Sequence, residues 1–414
     1  MKKILEKWNS ISLIFRILGG IILGTVIALT ARFLDGTKYT NWIGIFGTLF
    51  TGALKALAPV LVFVLVLSSI SNAKNSVGKN FIVVIFLYLL TTLLASMISV
   101  FASFIFKLQI RLENVDKITN SAPSSVVEVL KNLLSNLVSN PIDSLASGNY
   151  LGILFWAILL GIAFRAASEN TKNFLQDMSN AVSTCVKWII SFAPFGVLGL
   201  VYTVVCEFGL VIFADYGLLV LLLVGCMLFV SLIVNPIIAS ITIGQNAYPL
   251  LFRCLKDSGI TAFFTRSSAA NIPVNMKLCE SLGLDKDMYS VSIPLGATIN
   301  MDGAAITIAI LSLVGAFSSG VEVNLAQAII LSLLATVAAC GASGVAGGSL
   351  LLIPLACSLL GVSQDVAMQM VGVGFIIGVI QDSLETALNS SGDVLFAASA
   401  EFREWKKQGK EIKF

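Results

Sequence analysis

Gly341-Ala342-Ser343-Gly344-Val345-Ala346-Gly347-Gly348-Ser349 stands in the middle of an apolar segment that runs from Val323 to Leu360. Thr265-Arg266-Ser267-Ser268-Ala269-Ala270-Asn271 interrupts a second one, Tyr248–Leu282, in the same way. Each break is small and polar, and each is followed by another apolar arm. Two interrupted segments of this kind read as re-entrant helical hairpins with their tips inside the protein. Non-helical backbone at membrane depth is tolerated only where protein buries it or where it lines a cavity. Paired interruptions in corresponding positions are the best sequence pointer to a transporter's binding site. The competing reading of the Gly/Ser-rich run is close helix packing through small residues.

The rest of the chain supplies the membrane. It has 414 residues, of which 57% are apolar and 12% charged, where soluble domains carry about 25% charged residues. Runs such as Leu13–Ala31, Phe81–Phe106 and Tyr216–Ile241 reach the roughly 20 apolar residues that a crossing needs. The polar stretch from Leu108 to Gly148 interrupts the first half and contains a weakly amphipathic piece, Val126–Val138, suited to an interface. Lys2, Lys3, Lys7 and Arg16 crowd one end; Arg403, Lys406, Lys407, Lys410 and Lys413 crowd the other. By the positive-inside rule both termini are cytoplasmic and the number of crossings is even. Lys74 and Lys79, then Arg165 and Lys172, mark further cytoplasmic turns, and the stretch from Glu207 to Asp215, without Lys or Arg, reads as external.

Several classes drop out. The net charge of +3 follows from topology, and no basic face for nucleic acid is gathered. The seven cysteines are scattered in apolar segments without a C-x-x-C pair and read as small buried hydrophobes. The chain has no histidine, which removes the commonest transition-metal ligand and proton relay. No cleavable signal peptide is evident, because no small-residue cleavage site follows the first apolar run. A serine hydrolase built on Ser267 or Ser268 would lack a His, or a Lys in the same tip, as base. A channel is disfavoured by gate-like hairpins and buried acids, so the expectation is a carrier and no enzyme.

No Lys or Arg occurs between Asp287 and Phe402, yet Asp302, Asp382, Glu385 and Asp393 lie in apolar surroundings there. An acid at the centre of a spanning helix costs about 2.5–3.5 kcal/mol on insertion scales. Arg266 is the only basic residue flanked by comparably buried positions, and one arginine cannot neutralise four carboxylates. The remaining charge implies protons or bound cations. Asp382, Glu385, Asn389 and Asp393 share one helical stripe. Asn300 and Asp302 lie in Gly296-Ala297-Thr298-Ile299-Asn300-Met301-Asp302-Gly303, where glycines at both ends predict local unwinding. Freed carbonyls, carboxylates and amide oxygens suit a hard cation such as sodium. Proton coupling through Asp or Glu stays open, as does a purely structural polar network, although such a network needs donors and this one is rich in acceptors.

At these residues the chain resembles the dicarboxylate/amino acid:cation symporters, the family that includes the glutamate transporters. Thr265–Asn271 is similar to that family's serine-rich tip. Asn300-Met301-Asp302-Gly303 matches its Asn-Met-Asp-Gly signature, Gly344–Ser349 resembles its second tip, and Asp382 through Asp393 resembles its last helix. The resemblance covers essentially the whole chain. It implies an all-α polytopic fold of eight transmembrane helices plus two re-entrant hairpins, arranged as inverted repeats, in a homotrimer of the cell (inner) membrane. Residues 1–242 would be mostly scaffold, with the third and sixth spans (about 80–106 and 215–242) joining the transport domain. Residues 243–402 would be the transport core and 403–414 a cytoplasmic basic tail.

The resemblance also implies roles. Asp382 would hold a substrate ammonium group, and Asn389 would contact its carboxylate. Ser267 and Ser268 would offer backbone N–H groups and a hydroxyl to that carboxylate, as the positive end of a half-helix favours. Ala304, Val345, Glu385, Thr386 and Arg266 would line the same pocket. For Na+, one site would join Asn300, Asn389 and Asp393 with the Gly296 carbonyl. A second would join Asn300 and Asp302 with Tyr88, Thr91 and Thr92. A third would use carbonyls of Thr298, Ala339, Cys340 and Ala342.

Two departures bear on the substrate. Acidic-substrate members often carry arginine where this chain has Glu385, and threonine where it has Ala304. Like charges at about 4 Å and an effective dielectric of about 20 repel by roughly 4 kcal/mol, several hundred-fold or more in affinity. A small neutral hydroxyl amino acid, serine or threonine, fits better than an acid. Arg266 leaves two possibilities: pairing with Glu385, or facing the substrate, in which case an acidic amino acid or dicarboxylate returns. The expectation is sodium-coupled uptake of serine and threonine by alternating access; the alternative is proton- or sodium-coupled acidic uptake.

Overall fold

The computed structural model describes residues 11–34, 36–72, 79–113, 138–342, 347–410 and 412. Among them the regular structure is entirely helical. In chain order the helices are α1 (Leu13–Phe33), α2 (Thr37–Thr40), α3 (Gly44–Ser71), α4 (Lys79–Phe106), α5 (Pro141–Ser147), α6 (Tyr150–Phe164), α7 (Glu169–Ser191), α8 (Ala193–Phe208) and α9 (Ile212–Phe229). The second half contains α10 (Asn235–Ile243), α11 (Tyr248–Cys254), α12 (Ile260–Thr265), α13 (Ser268–Ser281), α14 (Lys286–Ile299), α15 (Asp302–Ser318), α16 (Leu325–Ala339), α17 (Ile353–Leu359) and α18 (Gln364–Lys407).

Among the described residues six helical stretches are long and apolar enough to cross a membrane. Their outer faces carry Phe15, Ile22, Phe101, Leu221 and Ile241 in the open. Apolar exposure on that scale suits lipid and not water, so this is a multi-pass membrane protein. The stretch Ala193–Ile243 has 51 residues, about 75 Å of helix at 1.5 Å per residue. A hydrocarbon core is about 30 Å thick, so this stretch cannot be one crossing, and it breaks at Gly209 (φ 73°).

Helices are sorted by how much of their surface is apolar. Every residue of α15 from Asp302 to Ala316 is buried, as expected of a helix that is apolar all round and therefore central. α18 is buried along most of its length and packs on α15, α14, α12, α13 and α10. α4 and α9 also pack on α15 and α18. By contrast α1 is largely peripheral and packs on α8, while α3 packs on α6, α7 and α8.

The two interrupted segments behave differently in detail. α11 continues through a π-helical turn, Leu255–Gly259, into α12. The chain then reverses at Arg266, whose backbone is left-handed (φ 52°, ψ 34°), and Ser267 caps α13. α12 and α13 pack on each other, so this segment is a helical hairpin. In the other segment α16 turns at Gly341 and Ala342, and a 3-10 turn, Ser349–Leu352, leads into α17, which packs back on α16. Residues 343–346, Val345 among them, lie outside the described residues. So do Lys2, Lys3, Lys7, Lys74, Lys413 and nearly all of Val126–Val138.

The unwinding expected between Gly296 and Gly303 is narrower than the two glycines suggest. α14 stays helical to Ile299; only Asn300 (φ −90°, ψ 82°) and Met301 (φ −125°, ψ 46°) leave the helix before α15 begins. α18 runs on through Arg403 to Lys407, so the first basic residues of this end are helical.

Candidate functional site

The hairpin tip, the α14–α15 break and the acidic stripe of α18 meet in one buried region. Asp302, Asp382, Glu385 and Asp393 are all buried, and Arg266 is the one buried cation among the described residues.

Arg266 pairs with Asp382 and not with Glu385. Its Nε lies 2.6 Å from Asp382 Oδ2, and its Nη1 is buried without a partner. A non-glycine residue in the left-handed region costs of order 1–3 kcal/mol and persists where its surroundings over-determine it; the ion pair supplies that constraint. Asp382 Oδ1 accepts the Gly347 N–H at 3.2 Å. One carboxylate therefore ties the first hairpin's tip to the chain just past the second tip. At the first tip, Ser267 Oγ accepts the Ala270 N–H and caps α13, and Ser268 is buried. The Thr386 hydroxyl donates to its own helix at Asp382 O.

Glu385 sits among neutral donors. Its Oε2 accepts from Thr307 Oγ1 at 2.8 Å, Ser349 Oγ at 2.9 Å and Gln381 Nε2 at 2.5 Å. Sequence reasoning missed these three partners. Gln381 was legible, one turn before Glu385 on the same stripe; Thr307 and Ser349 come from other helices. Ala304 is fully buried, and Gly303 next to it brings α15 against α18. A Cβ there would lie 2.8 Å from Glu385 Cα.

Asn389 caps α15: its Oδ1 accepts the Gly303 N–H at 2.7 Å, while its Nδ2 meets only the Met301 sulfur at 3.4 Å. Asn300 Nδ2 donates to Asn389 O at 2.9 Å and to Asp393 Oδ1 at 3.0 Å. Gly296 belongs to this cluster, because a Cβ there would sit 2.8 Å from Asp393 Oδ1 and 2.9 Å from Tyr88 Oη. The Tyr88 hydroxyl donates to Asp393 O at 2.9 Å. That hydroxyl therefore stands with Asp393, while the Tyr88 carbonyl accepts from Thr92 Oγ1, which also bonds Asp302. Asn275 and Asn271 of α13, with Ser258 of the π-helical turn and Ser390, extend this cluster into the hairpin.

Asp302 forms a second cluster with Thr91 and Thr92 of α4. Thr92 Oγ1 lies 3.1 Å from Asp302 Oδ1 and accepts the Met301 N–H. Asn235 Nδ2, absent from the sequence reading, donates to Asp302 Oδ2 at 2.8 Å. A third grouping lies where α16 meets the break. Cys340 Sγ contacts Ile299 O at 3.6 Å, and Ala339 and Ala342 are buried beside it. The Thr298 hydroxyl bonds back to Leu295 O.

Buried acceptors outnumber donors here. The side-chain oxygens Asn235 Oδ1, Asn271 Oδ1, Asn300 Oδ1 and Gln381 Oε1 are buried with no partner. An unpaired buried polar atom costs about 1–3 kcal/mol, and four carboxyl groups share one guanidinium. Such a surface can hold cations and the ammonium of a zwitterion. Among the described residues no cluster of His, Cys, Asp and Glu has the make-up of a transition-metal site.

The sequence matches the model of the sodium:dicarboxylate symporter family over residues 13–401. It is 54% identical over 413 residues to a protein of Bifidobacterium adolescentis named serine/threonine transporter SstT, covering 100% of this chain and 94% of that one. A protein of the same name from Streptococcus thermophilus is 53% identical over 407 residues, covering 98% and 100%. Another, from Streptococcus agalactiae, is 54% identical over 401 residues, covering 97% and 98%.

Proposed function

Because this chain belongs to the sodium:dicarboxylate symporter family, we propose that it carries serine and threonine into the cell together with sodium. Relatives more than half identical along essentially their whole length bear the name serine/threonine transporter. The observation that carries the substrate reading is the bonding of Glu385. Its carboxyl group is held by Thr307, Ser349 and Gln381, while Arg266 is committed to Asp382. Among the described residues no free cation then stands at the Glu385 end of the pocket to receive an acidic side chain, and Ala304 adds only a methyl group. This removes the support that an unpaired Arg266 would have lent to an acidic substrate.

In this reading Asp382 receives the substrate's ammonium group between the two hairpins. The weakly held Asn389 Nδ2 and the capped start of α13 face its carboxylate. Glu385 and its donors take the side-chain hydroxyl. Sodium occupies the acceptor-rich clusters around Asp393 and Asp302, and a third position uses the carbonyls of Thr298, Ala339, Cys340 and Ala342. The arms α16 and α17 act as a gate, because the Gly347 N–H and the Ser349 hydroxyl both close onto acids of α18.

We infer further that the chain forms eight crossings and two hairpins with both termini cytoplasmic, as a homotrimer in the cell membrane. α4, α9, α10 and residues 243–402 would move as one body against a scaffold of α1, α3 and α6–α8. The grouping of contacts described above supports that division. A sodium ion descending about 100 mV releases roughly 2.3 kcal/mol, and a tenfold gradient adds about 1.4 kcal/mol. One net ion suffices for about 500-fold accumulation of a neutral substrate. The test is labelled serine uptake into proteoliposomes with sodium or potassium outside. Uptake indifferent to sodium would refute the coupling; uptake blocked by aspartate would refute the pocket reading.

A further inference from the structure

We propose that Asn235 is a direct ligand of the cation held at Asp302, a role that rests on the sodium-coupled reading above and adds a residue from α10 to it.

The local backbone is built to bring this amide inward. α9 passes through a π-helical turn, Val230–Val234, and the Asn235 N–H bonds to Val230 O five residues back. Such single wide turns rotate the following residues relative to an unbroken helix and are frequent at functional sites. Pro236 follows and has no N–H to offer Leu232 O; that carbonyl accepts the Tyr248 hydroxyl instead, at 3.0 Å. The helix therefore tolerates the irregularity with little loss of pairing. Asn235 ends up fully buried in an otherwise apolar span, with Nδ2 2.8 Å from Asp302 Oδ2.

A purely structural role would need only that one donated bond. The other end of the amide argues for more. Asn235 Oδ1 is buried and has no partner, and turning the amide over would set its oxygen against the carboxylate. Since Oδ1 and Nδ2 share one carbon, the orphaned oxygen is one amide group removed from the Asp302 carboxylate. Asn300 Oδ1, two residues before Asp302, is orphaned as well. The single Thr92 hydroxyl proton is shared between Tyr88 O at 2.8 Å and Asp302 Oδ1 at 3.1 Å, and the Thr91 hydroxyl beside it is claimed by Leu87 O and Tyr88 O. One proton cannot satisfy both acceptors. The Thr91 and Thr92 hydroxyls of α4 and the Asn235 amide of α10 thus gather at Asp302 with one amide oxygen left without a hydrogen, an oxygen set suited to a hard monovalent cation.

The test uses the full-length protein, with Na+ and Li+ as chloride salts. Two quantities are read: the half-saturating cation concentration for serine uptake in proteoliposomes, and the cation-induced rise in melting temperature in detergent without serine. In Asn235→Ala the half-saturating sodium concentration rises tenfold or more and the sodium-induced stabilisation shrinks. The Li+/Na+ ratio of half-saturating concentrations changes at least threefold, because the ligand set itself has changed. Half-saturating serine at saturating sodium moves less than threefold. If the alanine variant does not fold, Asn235→Asp keeps the shape and an oxygen but loses the donor, and it must also shift the Li+/Na+ ratio. A ratio and a sodium half-saturation within twofold of the parent, in whichever variant folds, overturn the proposal, as does a parallel loss of serine and sodium affinity with the ratio unchanged. A parent protein with neither sodium-dependent uptake nor sodium-induced stabilisation would instead refute the sodium reading itself.

Discussion

Arg266 Nε lies 2.6 Å from Asp382 Oδ2, and both side chains are buried. The residues are 116 positions apart in the chain, so this pair fastens the first hairpin's tip to the middle of α18. Removing one partner of a buried pair leaves an uncompensated charge and costs about 3–5 kcal/mol. Arg266→Gln should therefore lower the melting temperature sharply and abolish uptake. Arg266→Gln combined with Asp382→Asn should recover much of the stability and none of the uptake. Full recovery of uptake in the double variant would mean that Asp382 serves only to hold Arg266.

Glu385 is expected to set the charge of the substrate. Glu385→Arg with Ala304→Thr should weaken serine uptake and let aspartate compete, since the change removes a repulsion worth roughly 4 kcal/mol at about 4 Å and adds an attraction. Competition by unlabelled aspartate is the measurement. Unaltered serine uptake in that variant would place Glu385 outside the pocket.

Gly303 should tolerate nothing larger. A Cβ there would meet Glu385 Cα at 2.8 Å and Glu385 O at 2.9 Å, both on the neighbouring helix. Gly303→Ala forces α15 and α18 apart, and overpacking of this kind costs about 1–3 kcal/mol. A melting temperature equal to the parent's would show that the two helices do not approach this closely.

Asp393→Asn should weaken sodium and spare serine. Asp393 Oδ1 and Oδ2 accept from Asn300 and Asn275, and the neutral amide removes the charge that a cation would answer. The half-saturating sodium concentration should rise at least tenfold, with little change in half-saturating serine once sodium is saturating. An unchanged sodium dependence would exclude Asp393 as a ligand.

What the sequence made legible was set by periodicity and by breaks in it. The stripe Asp382, Glu385, Asn389, Asp393 follows from helical spacing, and the break beside Asn300 follows from glycines flanking polar residues in an apolar run. Partners that lie across helices were not legible, because spacing carries no information about which faces meet. Nothing in the spacing points Arg266 to Asp382 rather than to Glu385. Thr307 and Ser349 looked like ordinary small polar residues until folding placed them on Glu385. Asn235 carried a weak signal, an amide ahead of a proline inside an apolar span. Spacing on α4 likewise does not say that the Tyr88 hydroxyl reaches the Asp393 backbone carbonyl while Tyr88 O accepts from Thr91 and Thr92.

The most direct measurement is labelled serine uptake into proteoliposomes, with sodium or potassium outside and threonine or aspartate as competitor. A sodium-coupled carrier of neutral hydroxyl amino acids accumulates serine only with sodium, is blocked by threonine and ignores aspartate. Accumulation driven by protons without sodium, or blocked by aspartate, would contradict it.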